Sequence, residues 1–123
     1  MRVYIPAAKH AAHMSLKRHT PADLAKFDAI MDAIHAAARQ LFDAITTGEA
    51  TEAHQKHTGG QLLTIYHRST RPGVLIQAST FCRDRSGDWT ASSHHDINTP
   101  DDIELHAGEY LTITKGARTN DHQ

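Results

Sequence analysis

Residues 20–46, TPADLAKFDAIMDAIHAAARQLFDAIT, place Leu24, Phe27, Met31, Ile34, Ala38, Leu41 and Ile45 at alternating spacings of three and four. That period puts them on one stripe of an α-helix. The ends agree with it: Thr20 is a capping hydroxyl, Pro21 suits the first helical position, Asp23 offers a carboxylate to the free amides of the first turn, and Gly48 supplies the stop. Ile30 and Phe42 widen the stripe, while Ala25, Ala29, Ala33 and Ala36 keep the other side thin. Further helical turns are predicted over residues 49–57, EATEAHQKH, ended by Gly59-Gly60, and over residues 7–18, which follow a short strand RVYIP.

From Gln61 the period changes to two. QLLTIYHR, VLIQASTFC and WTASSHHDI read as strands joined by turns at Arg71-Pro72-Gly73-Val74 and around Ser86-Gly87, and EYLTITK after Gly108 reads as a last strand. Hairpin connections make the neighbours antiparallel. The predicted architecture is α+β: one long amphipathic helix plus short helical turns, packed on an antiparallel sheet of three to five strands. Residues 1–116 are expected to form a single domain, since 123 residues suit one core, and residues 117–123 a mobile C-terminal tail.

Register assigns side chains to faces. If Arg71 pairs with Val74 and Arg85 with Asp88, then His67, Ala78 and His95 share one cross-strand row, flanked by the rows Ile65, Thr80, Ser93 and Leu63, Cys82, Ala91. That face is apolar. The other face then carries Tyr66, Ser79 and His94 in one row and Arg68, Gln77 and Asp96 in the next. A single extra residue at either turn would exchange the faces of a strand.

Composition narrows the setting. No stretch approaches the roughly 20 apolar residues of a membrane span, and the first residues hold no secretory apolar run, so a cytoplasmic protein is expected. One cysteine, Cys82, excludes an internal disulfide and a multi-cysteine zinc site. The formal net charge is −1, yet residues 1–20 carry Arg2, Lys9, Lys17 and Arg18 with no acid. The 11 histidines would take that charge from −1 to about +10 as pH falls through roughly 6.5, so partner choice should depend on pH.

The stretch that most resembles chemistry is SSHHDINTPDD, residues 92–102. His94 and His95 should point to opposite faces of their strand, whereas His94 and Asp96 share one, a spacing that supplies two ligands of a mononuclear iron site. His67 and His95, flanking Ala78, form a second candidate pair. Neither pair completes a ligand set, so no metal and no cofactor are expected. Thr99-Pro100-Asp101-Asp102 repeats the pattern Thr20-Pro21-Ala22-Asp23, which makes Asp101 and Asp102 cap carboxylates. His10/His13 and His54/His57 have helical spacing without the HExxH context and read as surface histidines. Glycine-rich phosphate loops, nucleophile elbows and paired CxxC motifs have no match.

The leading expectation is a small protein–protein interaction module, an inhibitor or regulator of a larger protein machine without catalysis of its own, using Tyr66, Arg68, Gln77, His94 and Asp96. The rival is a small enzyme in which Tyr66, Arg68, His94 and Asp96 act as an acid–base or metal-assisted cluster. A nucleic-acid partner is a further alternative, not favoured because Arg71, Arg83 and Arg85 do not form one stripe. The surplus width of the helix stripe also predicts a homodimer through Ile30, Ile34, Leu41 and Phe42. The first two readings differ in whether the four side chains converge in a concave pocket or lie on an open face.

Overall fold

Helix α1, Pro21–Thr47, begins and ends where its sequence signals lie. Thr20 Oγ1 accepts the Asp23 amide and Asp23 Oδ2 accepts the Thr20 amide, both at 3.1 Å, a reciprocal cap that satisfies two otherwise unpaired donors. At the other end Gly48 adopts φ +85°, the left-handed conformation open to glycine at little cost, and its amide bonds to the Ile45 carbonyl. The last turn holds no basic residue. Arg68, from a strand, supplies the missing charge: its Nη2 donates to the carbonyls of Thr46 at 2.6 Å and Ile45 at 3.3 Å.

This is a computed structural model, and it describes residues 1–7 and 20–116. The helix expected over residues 7–18, Ala7 apart, and the tail expected over 117–123 lie outside the described residues. The strands are β1 (Arg2–Tyr4), β2 (Ala50–His57), β3 (Leu62–Arg68), β4 (Ile76–Arg83), β5 (Trp89–Ile97) and β6 (Tyr110–Lys115), with a single 3₁₀ turn at Pro100–Asp102 among the described residues. They form one six-stranded sheet in the order β1-β6-β2-β3-β4-β5, every pair antiparallel. The α+β class stands, but six strands replace the expected three to five.

The additional central strand is the segment expected to be helical. Residues 50–57 are strand β2, because Ala53, Gln55 and His57 are buried while Glu52 and Lys56 are exposed, an alternation of period two. Alanine, glutamate, glutamine and lysine favour a helix in isolation. Here β2 lies between β3 and β6 and pairs with both, so two ladders of backbone hydrogen bonds override that preference. One consequence corrects a pairing: His54 and His57 do not share a helix face but project from opposite sides of the sheet.

Strand β3 is also turned over relative to the expected register. The Arg71–Val74 turn is present, with the Val74 amide on the Arg71 carbonyl at 3.3 Å, but the ladder closes earlier, where the Ser69 amide meets the Leu75 carbonyl at 3.0 Å. Thr70 is the extra residue. Tyr66, rather than His67, therefore pairs with Ala78, and His67 pairs with Gln77. Between β4 and β5 the expected rows Ala78–His95 and Thr80–Ser93 are present; beyond a bulge that leaves Ser92 unpaired, Cys82 pairs with Thr90 rather than Ala91.

The core lies between α1 and one face of the sheet. Ala37, Ala38, Leu41 and Ile45 are the buried positions of the helix, and they meet Ala53, Tyr66, Ala78, Ile76 and Ile97 of the sheet. Small alanines on both sides let the helix approach the sheet closely, with the Tyr66 ring filling the space between Ala53 and Ala78. Leu41 is fully buried and Ile34 and Phe42 pack at the edge of the same cluster, while Ile30 is half-buried. Of the helix residues assigned to a dimer, Leu41 is thus buried within the chain, and Ile30, Ile34 and Phe42 keep part of their surface exposed. Among the described residues no helix is long and apolar enough to cross a membrane.

Two substitutions test this arrangement. Tyr66→Ala should cost about 3–5 kcal/mol by opening a cavity in the core, and Arg68→Ala about 1 kcal/mol by leaving helix carbonyls without a donor. Chemical denaturation measures both. A Tyr66→Ala protein as stable as wild type would mean that β3 presents its other face to the helix.

Candidate functional site

The face of the sheet away from α1 is organised in cross-strand rows. Arg2, Thr112, His54, Ile65, Ser79 and His94 form one continuous row through all six strands. On one side lies an aromatic and aliphatic row, Tyr4–Tyr110 on β1 and β6 and Lys56, Leu63, Phe81 and Ala91 across β2 to β5. On the other side Thr114, Glu52, His67, Gln77 and Asp96 form a polar row. The face thus grades from rings to histidines to carboxylates.

Several of these side chains are already held. Ser79 Oγ and His94 Nδ1 are hydrogen-bonded at 3.1 Å, and Arg71 reaches from the β3–β4 turn to pair with Asp96 at 3.0 Å. Both members of that ion pair are substantially exposed, so it adds little stability. Tyr4 and Tyr110 are about half exposed and meet edge to face, ring centroids 5.2 Å apart, with the Arg2 guanidinium 4.1 Å from the Tyr110 centroid. Arg83 lies in the same way over Trp89, at 4.7 Å. A shallow hollow of about 240 Å³ between these features is lined by Arg2, His54, Lys56, Glu109, Tyr110 and Thr112.

The residues singled out in the sequence divide between the two faces. Gln77, His94 and Asp96 share the open face as expected. Tyr66 and Arg68 do not: Tyr66 is 2% exposed in the core, and Arg68 caps the helix. The acid–base cluster of Tyr66, Arg68, His94 and Asp96 is therefore not assembled. His67 and His95 lie on opposite faces, which separates that candidate metal pair. Among the described residues no group of three or more histidine, cysteine, aspartate or glutamate side chains is arranged to hold a metal ion. Asp102 is a cap carboxylate, accepting the amides of Asn98 and Thr99, and those bonds hold its pKa below the usual carboxylate value.

The helix-side face has a polar recess of its own. Beside α1, which packs against its 3₁₀ turn, the connection from Asn98 to Glu109 covers the sheet, pinned by Gln55: its Nε2 donates to the His106 carbonyl and its Oε1 accepts the His106 amide, both at 2.8 Å. Tyr66 donates its hydroxyl to the Glu104 carbonyl at 3.1 Å, and burial, aided by the charge of Glu104, pushes its pKa up, so it remains a donor. A cavity of about 260 Å³ opens here, with Thr64, Thr80, His95, Glu104 and His106 among its walls. His57 is buried behind it, its Nε2 hydrogen-bonded to Thr64 Oγ1 at 3.1 Å and its ring stacked on His106 with centroids 3.5 Å apart.

Sequence reasoning missed Tyr4, Tyr110, His54 and Lys56 on the open face. For the last two the sequence holds no apolar alternation, since residues 52–57 read EAHQKH. No family model, curated protein or solved structure matches this chain.

Histidine 57 gives the fold a pH dependence. Burial, and secondarily the charge of His106, lowers its pKa, with Glu109 opposing, while Nδ1 has no hydrogen-bond partner among the described atoms. The unfolded chain then binds the extra proton more readily than the folded one. Stability from this residue is complete above the ordinary histidine value and is lost as pH falls below it toward the lowered folded value. The denaturation midpoint should drop between about pH 7.5 and about pH 5, and His57→Gln should reduce that drop. An equal drop in the variant would show that His57 is protonated as readily in the fold as outside it.

Proposed function

We propose that the protein is a binding module that presents the open face of its sheet to a macromolecular partner, without catalysis of its own. The observation that carries this reading is the adjacency of the Tyr4, Tyr110, Lys56, Leu63, Phe81 and Ala91 row to the Arg2-to-His94 row, which brings rings, aliphatic side chains and cations together on one face. Leu63, Ile65, Phe81 and Trp89 are only partly buried there, and no described element packs over them. Aromatic and arginine side chains are the residue types that most often dominate binding energy at interfaces. The dispersal of Tyr66, Arg68, His94 and Asp96 favours this reading over the acid–base one. Gln77, His94 and Asp96 form the polar margin of the same surface and would set its orientation on the partner.

Immobilised protein and a lysate of the native host provide the test, with captured proteins and nucleic acids both analysed. Phe81→Glu, at the middle of the ring row, should abolish specific capture while the melting temperature changes little. His95→Ala, in the recess on the other face, should leave capture intact. Capture that survives Phe81→Glu and fails with His95→Ala would transfer the binding role to the recess.

A further inference from the structure

We infer that the partner of this face is a single-stranded nucleic acid, an inference that rests on the binding-module reading above. Two guanidinium–ring stacks lie toward opposite ends of the face, Arg2 on Tyr110 and Arg83 on Trp89. Tyr4, half exposed and edge-on to Tyr110, extends the first of them. Planar rings and guanidinium groups are surfaces on which bases of any sequence can stack, provided those bases are not already paired. With strands about 4.8 Å apart, β6 and β5 are roughly 19 Å from each other, a span for several nucleotides.

Charge agrees with the stacking. The hollow beside Tyr110 collects Arg2, Lys56 and His54, together with the Thr112 hydroxyl, against one carboxylate, Glu109. Among the described residues the ion pair present is Arg71–Asp96, so Arg2, Lys56 and Arg83 keep their charge for a ligand. A phosphate in the hollow would place its attached base beside the Tyr110–Tyr4 pair, and the strand could then run along the ring row past Leu63 and Phe81 to Trp89. Glu52 and Asp96 lie in the row farthest from that path. An acidic protein surface would satisfy the cations but has no use for the two stacks, which is why a nucleic acid fits better. A duplex would satisfy the phosphate contacts yet keep its bases from the rings.

Fluorescence anisotropy with the full chain and labelled oligo(dT) and oligo(U) of about twelve nucleotides tests this directly. Both should bind at low salt, and a duplex of equal length should bind about tenfold more weakly. Three cationic contacts predict that log K falls with log salt at a slope of about −2 or steeper, and Lys56→Ala should reduce that slope by about 0.7. Tyr110→Ala should weaken binding about tenfold with the slope unchanged. Lack of binding at low salt would overturn the inference. So would binding that the duplex and heparin share equally and that Tyr110→Ala leaves unaltered, which is adsorption of a polyanion. If the oligonucleotides fail while Phe81→Glu still abolishes capture of a protein, the nucleic acid is excluded and the binding module stands; if capture also survives Phe81→Glu, both fall.

Discussion

The sheet is wider than one helix can cover, and among the described residues a buried amide anchors the connection that closes more of its inner face. Gln55 is fully buried on a central strand of the sheet, and its amide offers two donor hydrogens and an acceptor oxygen. Nε2 donates to the His106 carbonyl and, at longer range, to that of Glu109, while Oε1 accepts the His106 amide, which fixes the 98–109 connection as a lid over the sheet beside α1. Because a buried amide left unpaired costs more than a paired one gains, this contact specifies one placement of the connection rather than merely favouring it. The stacked histidines, the threonine pair and the Tyr66 hydroxyl are all arranged around that placement.

The same arrangement explains why the two faces have different characters. On the helix side buried polar groups are costly without partners, and threonine, glutamine and tyrosine find most of theirs inside the protein. On the other side nothing among the described elements demands that economy. Rings there stack with arginines, and His54 on β2 and His94 on β5 share one row with Ile65 and Ser79 between them. The asymmetry follows from where the helix lies, which leaves the other face without a described element packed on it.

Local signals made part of this legible and long-range pairing hid the rest. The helix could be read because Thr20, Asp23 and Gly48 act within a few residues of themselves, and the 99–102 turn for the same reason. Strand β2 could not be read from propensity, since Ala50–His57 is rich in helix formers whose fate is decided by pairing with β3 and with the distant β6. The face of β3 turned on one residue, Thr70, which no pattern of apolar positions can count. The ring row was hidden more deeply still. It joins Tyr4 to Tyr110 across nearly the whole chain, and its cation, Lys56, lies on the strand whose residues favour a helix. Tyr66 and Arg68 were assigned to the open face for the same reason that His67 was assigned to the core.

The bulge in β5 has a consequence for the protein's behaviour at high concentration. In the strand order β5 is outermost, and a nine-residue flat edge of unpaired amides and carbonyls would template another strand. Ser92 breaks that edge near its middle, so an incoming strand meets two short, mutually twisted segments in place of one continuous ladder. Opposite it, the other outermost strand, β1, is only three residues long. The sheet is thus poorly suited to grow end to end into a fibre through either of its outermost strands.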